Sequence, residues 1–137
     1  MNKKIIILNI LLISMFLLTS FSRNKEYFIR KDFSKSGNYY YEVTEDNKNY
    51  YISIFSKDNS CVFTDKTGYR TFDRFYICWD ENYDKLWIWS SDIGLFTIEK
   101  NDVWIRQSAG EDVPPSKMIE NVPYFFSIYT YSWHRMR

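Results

Sequence analysis

The chain has 137 residues, 18 Lys and Arg against 17 Asp and Glu, and an aromatic content of 20%. A near-neutral balance without a basic run argues against a nucleic-acid surface. Two cysteines and one histidine do not make a zinc set.

Residues 1–22 differ in kind from the rest. Lys3 and Lys4 precede an almost unbroken apolar run over 5–21, interrupted by Asn9, Ser14, Thr19 and Ser20. This is the pattern of a secretory signal, with small residues Ser20 and Ser22 near its end. The alternative is an uncleaved membrane anchor. At 1.5 Å per residue the run spans about 26 Å, a little short of a hydrocarbon core of about 30 Å. Either form places the remainder outside the cytosol, in the periplasm or cell envelope, secreted or membrane-anchored. Without Lys3 and Lys4 the remainder carries 16 basic against 17 acidic side chains.

Residues 23–37 hold the basic cluster Arg23, Lys25, Arg30, Lys31 and Lys35, expected to be a solvated linker. Residues 38–108 read as an antiparallel β domain. Aromatic and β-branched blocks recur at 39–44, 50–56, 61–64 and 71–79, separated by clusters of Asp, Asn, Lys, Ser and Gly. Within the second block Tyr51, Ser53 and Phe55 alternate against Tyr50, Ile52 and Ile54.

Residues 84–106 then supply three consecutive strands and two turns. Two-residue loops at Asp92-Ile93 and Asn101-Asp102 would set Trp89 opposite Phe96, Trp87 opposite Ile98 and Ile98 opposite Ile105. Both registers place Trp87, Trp89, Phe96, Ile98, Val103 and Ile105 on one face, the expected structural core. The other face, with Leu86, Ile88, Leu95 and Trp104, is also apolar and needs a cover. The expected fold is mainly β: an antiparallel meander of about seven short strands, sandwich- or barrel-like.

Leu86-Trp87-Ile88-Trp89, followed by Ser90, Asp92, Gly94 and Leu95-Phe96, resembles one blade hairpin of a β-propeller. It is loosely similar to the Asp-box turn, with Phe96 and Thr97 where that motif has Thr and Trp. A propeller needs at least four blades of four strands, and the strand count supplies fewer than two. The resemblance therefore implies a hairpin geometry rather than membership.

Cys61 and Cys78 have two readings. In an oxidising compartment they could form a disulfide closing a loop of roughly 18 residues, worth about 3 kcal/mol. They could equally be separate thiols acting as small hydrophobes.

Residues 109–137 break the strand pattern at Pro114 and Pro115. Pro115 suits the start of a helix over 116–121, with Met118, Ile119 and Val122 turned inward. Tyr124, Phe125, Ile128, Tyr129 and Trp133 continue at helical spacing, although 124–133 also has strand propensity. The segment is expected to cover the second face of the central hairpins, with an interfacial membrane anchor as the alternative.

Catalytic chemistry is sparse. The single histidine, His134, lies three positions before Arg137, and there is no Gly-x-Ser-x-Gly elbow and no phosphate-cradling glycine loop. Asp80-x-Asn82-x-Asp84 echoes a calcium loop, but Lys85 and Ser91 stand where Gly and Glu are needed. Asp73, Asp80, Glu81, Asp84, Asp92 and Glu99 offer carboxylates for sugar hydrolysis, with no spacing that selects a pair. No cofactor and no metal is implied. Twelve Tyr, eleven Phe and five Trp exceed what a core of this size needs. They point to an exported domain that binds a protein partner, a neutralising or immunity-type protein being one version. A carbohydrate-binding module with exposed Trp and Tyr is the alternative, and a hydrolase with paired carboxylates a further one.

Overall fold

Alternating aromatic and polar residues build strands through most of residues 28–122, the part that the computed structural model describes. The segment 1–22 expected to be a signal or anchor and the question of helix or strand at 124–133 lie outside the described residues. Eight strands form two antiparallel meanders of four. The first sheet comprises β1 (Lys31–Phe33), β2 (Tyr39–Asp46), β3 (Asn49–Ser56) and β4 (Cys61–Arg70), in that order. The second comprises β5 (Phe75–Trp79), β6 (Lys85–Ser90), β7 (Gly94–Lys100) and β8 (Trp104–Ser108), also in chain order. One short helix, α1 (Ser116–Asn121), follows.

The two sheets share a core. Tyr41, Val43, Tyr50, Ile52, Ile54 and Tyr69 of the first sheet meet Phe75, Ile77, Trp79, Leu86, Ile88 and Ile98 of the second. Each large side chain buried there contributes about 1.5–3 kcal/mol by leaving water. The alternation expected over 50–56 holds, with Tyr50, Ile52 and Ile54 buried and Tyr51, Ser53 and Phe55 facing outward. Phe28 closes one end, meeting Tyr50 and Phe75 edge-on at 5.2 and 4.9 Å. Trp79 ties the sheets by donating from Nε1 to the Asp32 carbonyl at 2.9 Å.

Four expectations need correction. β1 lies inside the stretch read as linker. There Arg30 and Lys31 pair with Glu45 and Glu42 of β2 at 3.0 and 2.7 Å rather than standing free in solvent. The second concerns Asp65-Lys66-Thr67-Gly68, which does not separate two strands. Tyr50 pairs with Tyr69 and Ile52 with Asp65, so residues 66–68 bulge out of β4 opposite Tyr51. Gly68, at φ +64, permits that bulge. Third, residues 71–74 are not strand; they carry the chain from one sheet to the other.

The fourth correction is the register of the central hairpins. Ser90 pairs with Gly94 and Lys100 with Trp104, so both loops have three residues. A two-residue hairpin loop of type I′ needs positive φ at both positions. Asn47-Lys48 meets that requirement at φ 48 and 63, and Asp46 pairs with Asn49 around it. Ile93 is β-branched and resists positive φ, and neither Asn101 nor Asp102 adopts it. Gly94 carries it instead, at φ +96. A shift of one residue exchanges faces along a whole strand. Leu86, Ile88, Ile98 and Trp104 therefore pack toward the shared core, while Trp87 and Trp89 lie on the opposite face with Leu95. Trp87 pairs with Thr97 and Phe96 with Ile88, so the two indoles and the Phe96 ring do not meet on one face. Trp87, Trp89 and Ile98 are buried as expected, Phe96 is half-buried, and Val103 and Ile105 are exposed.

The second sheet's outer face is covered as its apolar character requires. Tyr76, Cys78, Trp87 and Trp89 pack against Ala109, Met118 and Val122, with Ile119 beside them. The helix expected at 116–121 is present with its expected inward residues.

Candidate functional site

On the outer face of the first sheet, three adjacent strands align three rings. Phe33 pairs with Tyr40 and Tyr40 with Phe55. Tyr40 and Phe55 stack at 5.1 Å with planes 13° apart. From the β1 side, the Lys31 ammonium sits 4.2 Å over the Tyr40 ring and Phe33 lies 5.4 Å away. The Tyr40 hydroxyl donates to Asn59 Oδ1 at 2.9 Å. Phe33, at the end of the row, is 57% exposed. Exposed Cys61 pairs with Phe55 at the other end.

A second feature joins the sheets at their β4 and β8 edges. Asp65 is buried and faces the core side. Tyr69 donates its hydroxyl to Asp65 Oδ2 at 2.7 Å, and Thr67 donates its N–H and hydroxyl to Oδ1 at 2.9 and 2.6 Å. Arg106 of β8 donates from Nε to the Tyr69 oxygen at 3.2 Å and lies 3.1 Å from Asp65 Oδ2. Its guanidinium carbon is 3.8 Å from the Phe96 ring centroid. Burial, then the bond to Asp65, pushes the Tyr69 hydroxyl above its ordinary range. Sequence reading missed Asp65, Tyr69 and Arg106 as a group. The only local signal is Asp65 two residues before Thr67, the spacing of a side chain that bonds its own backbone.

Five of the six carboxylates singled out from the sequence fall into three places, and the sixth, Glu81, is exposed in the β5–β6 turn. Asp80 holds the β5–β6 turn: Oδ1 accepts from the N–H groups of Asn82 and Tyr83, and Oδ2 from Trp87 Nε1 at 2.9 Å. Arg70 draws in Asp92 and Asp73, whose oxygens lie 3.2 and 2.6 Å from Nε. The Ser90 hydroxyl, foremost, and then Arg70 hold the Asp92 carboxyl below its usual range. Asp84 and Glu99 meet at a groove of about 530 Å³ lined also by Tyr39, Tyr83, Lys85 and Lys100.

That groove lies where β6 starts and β7 ends. Asp84 accepts from the Ser36 hydroxyl at 2.7 Å and its N–H at 3.3 Å. Glu99 accepts from Gln107 and lies 3.7 Å from Lys85 Nζ, which also meets Asp112 at 2.5 Å. Lys100 Nζ donates to the Tyr39 hydroxyl at 3.3 Å. Tyr39 is braced edge-on against Trp104 at 4.9 Å, whereas Tyr83 is 70% exposed.

The two cysteines are free thiols rather than a disulfide. Cys61 is exposed on β4, while Cys78 faces α1 on the outer side of the second sheet, where burial pushes its thiol up to about 12. Among the described residues no three His, Cys, Asp or Glu side chains are grouped to hold a metal. Among them, too, no helix is long and apolar enough to cross a membrane. His134 lies outside the described residues. Comparison with protein-family profiles, curated proteins and solved structures finds no match for this chain.

Proposed function

We propose that this is an exported domain that works by binding a protein, through the outer face of the first sheet. The leader at residues 1–22 supports export, as signal or anchor. The observation that carries the binding reading is the Phe33–Tyr40–Phe55 row with its exposed end. The outer face of the second sheet is covered by α1, but among the described residues no element packs over this one. Aromatic rings fixed by their neighbours lose little entropy on contact and are enriched at protein interfaces. The two faces of Tyr40 are occupied by Phe55 and Lys31. The row therefore presents ring edges and the Phe33 side chain, which suits an irregular protein surface better than a flat sugar ring. A neutralising role toward a toxin or hydrolase of the same compartment fits the size and the sparse chemistry of the sequence.

The test is capture from envelope fractions with the wild-type chain and with Phe33→Glu. A stoichiometric protein held by wild type and released by the variant supports the reading. Equal capture by both, or no stoichiometric protein, counts against it.

A further inference from the structure

We infer that the groove between Tyr39 and Tyr83 is a binding site for a neutral saccharide. It is a different surface from the first sheet's outer face and stands independently of the protein-binding reading.

Asp84 and Glu99 supply two carboxylates, Lys85 and Lys100 two ammonium groups. These four charges cancel, and Asp112, bonded to Lys85 at 2.5 Å, leaves the surroundings slightly acidic, so an anion gains no net attraction and a cation still meets two ammonium groups. A sugar hydroxyl is suited to such a wall, because it donates to a carboxylate while accepting from an ammonium. The groups are also held in place before any ligand arrives. Ser36 bonds Asp84, Gln107 bonds Glu99, and Lys100 is tied to Tyr39. Each still has bonding capacity: a carboxylate has about four lone-pair sites, and an ammonium three donors. Holding them beforehand lowers the ordering cost on binding.

The aromatic residues complete the fit. Tyr39 forms a braced wall against Trp104, and Tyr83 is largely exposed. Because Trp104 and the Lys100 ammonium already stand against Tyr39, the exposed Tyr83 ring is the one on which the C–H face of a pyranose lies well, with its hydroxyls directed to the charged groups. The groove, about 530 Å³ and open on one side, lets a disaccharide lie along it with one face in solvent.

The experiment is saturation-transfer NMR on the full chain with cellobiose, maltose and N,N′-diacetylchitobiose, alongside the zwitterion glycylglycine. The expected result is transfer to at least one disaccharide at millimolar concentration. Tyr83→Ala should weaken it about tenfold or more. Lys100→Met, which keeps the stem and removes the donors, should weaken it severalfold. Both side chains are exposed, so both variants should melt with wild type. The inference is overturned by no transfer to any disaccharide, by undiminished transfer in Tyr83→Ala, or by preference for glycylglycine. Loss of protein capture in Phe33→Glu with sugar binding intact would separate this site from the protein-binding face.

Discussion

Asp65→Asn tests the tie between the sheets most directly. The change keeps size and shape but removes the charge and one acceptor oxygen. In wild type the carboxylate serves three donors, from Thr67 and Tyr69, and faces Arg106 at 3.1 Å. An asparagine oriented to keep Thr67 turns its NH2 toward Arg106, donor against donor, and takes away the acceptor of the Tyr69 hydroxyl proton. Oriented the other way, it abandons Thr67. Hydrogen bonds to charged groups contribute about 1.5–3 kcal/mol, and a buried donor left unpaired costs about 1–3. Arg106 retains 24% side-chain exposure and can turn to water, so its orphaned charge adds less than a fully buried one would. The expected loss is about 2–4 kcal/mol, or a melting point lower by about 10–25 °C for a domain of this size. Urea unfolding followed by tryptophan fluorescence measures it, with the m-value unchanged. Arg106→Met should couple to it by about 1–3 kcal/mol in a double-mutant cycle. A loss below about 0.5 kcal/mol, or strict additivity with Arg106→Met, would refute the reasoning.

Four further outcomes are expected. Native protein should take up a thiol reagent at Cys61 alone and at both cysteines once unfolded, read by mass spectrometry; resistance of both thiols without reductant would indicate a bridge after all. Burial raises the Cys78 thiol from an ordinary 9.0 to about 12, so the folded state keeps a proton that the unfolded state gives up in that window. Stability should accordingly be full below about pH 9 and fall as pH rises toward 12. Urea midpoints across that range test this, and an identical slope in Cys78→Ala would assign the loss to other groups. Gly68→Ala should cost about 1–2 kcal/mol, because φ +64 is strained for alanine and the new Cβ lies 3.3 Å from Tyr51 Cε1; denaturation midpoints will show it. Met118→Ala should cost about 2–4 kcal/mol and shift tryptophan emission to the red, since Met118 is fully buried over the sheet face that carries Trp87 and Trp89.

Much of the fold was legible because local chemistry specified it. Tyr50, Ile52 and Ile54 alternate with outward residues, and that period of two belongs to a strand in any context. Pro115 and the spacing of Met118 and Val122 marked α1 and its buried side. Both apolar faces are covered, but with the covers exchanged: the first sheet packs on the face of Leu86, Ile88 and Trp104 that was expected to lie under the helix, and α1 packs on the Trp87 and Trp89 face expected to be the core. Functional geometry was less legible. Asp84 and Glu99 stood among six acids with nothing to pair them, and Tyr39 reaches their groove from the other sheet. Nor does any local pattern join Asp65 to Arg106, 41 positions apart.

What the sequence determined by itself was the strand-rich character, the turn-rich breaks and the short helix, since φ preferences and side-chain alternation act within a few residues. Tertiary structure decided which face each strand buries and how eight strands divide into two sheets. One extra residue in a loop costs little locally but reverses every side chain beyond it. Only the presence of a second sheet on one side and α1 on the other settled where Leu86 and Trp87 would point.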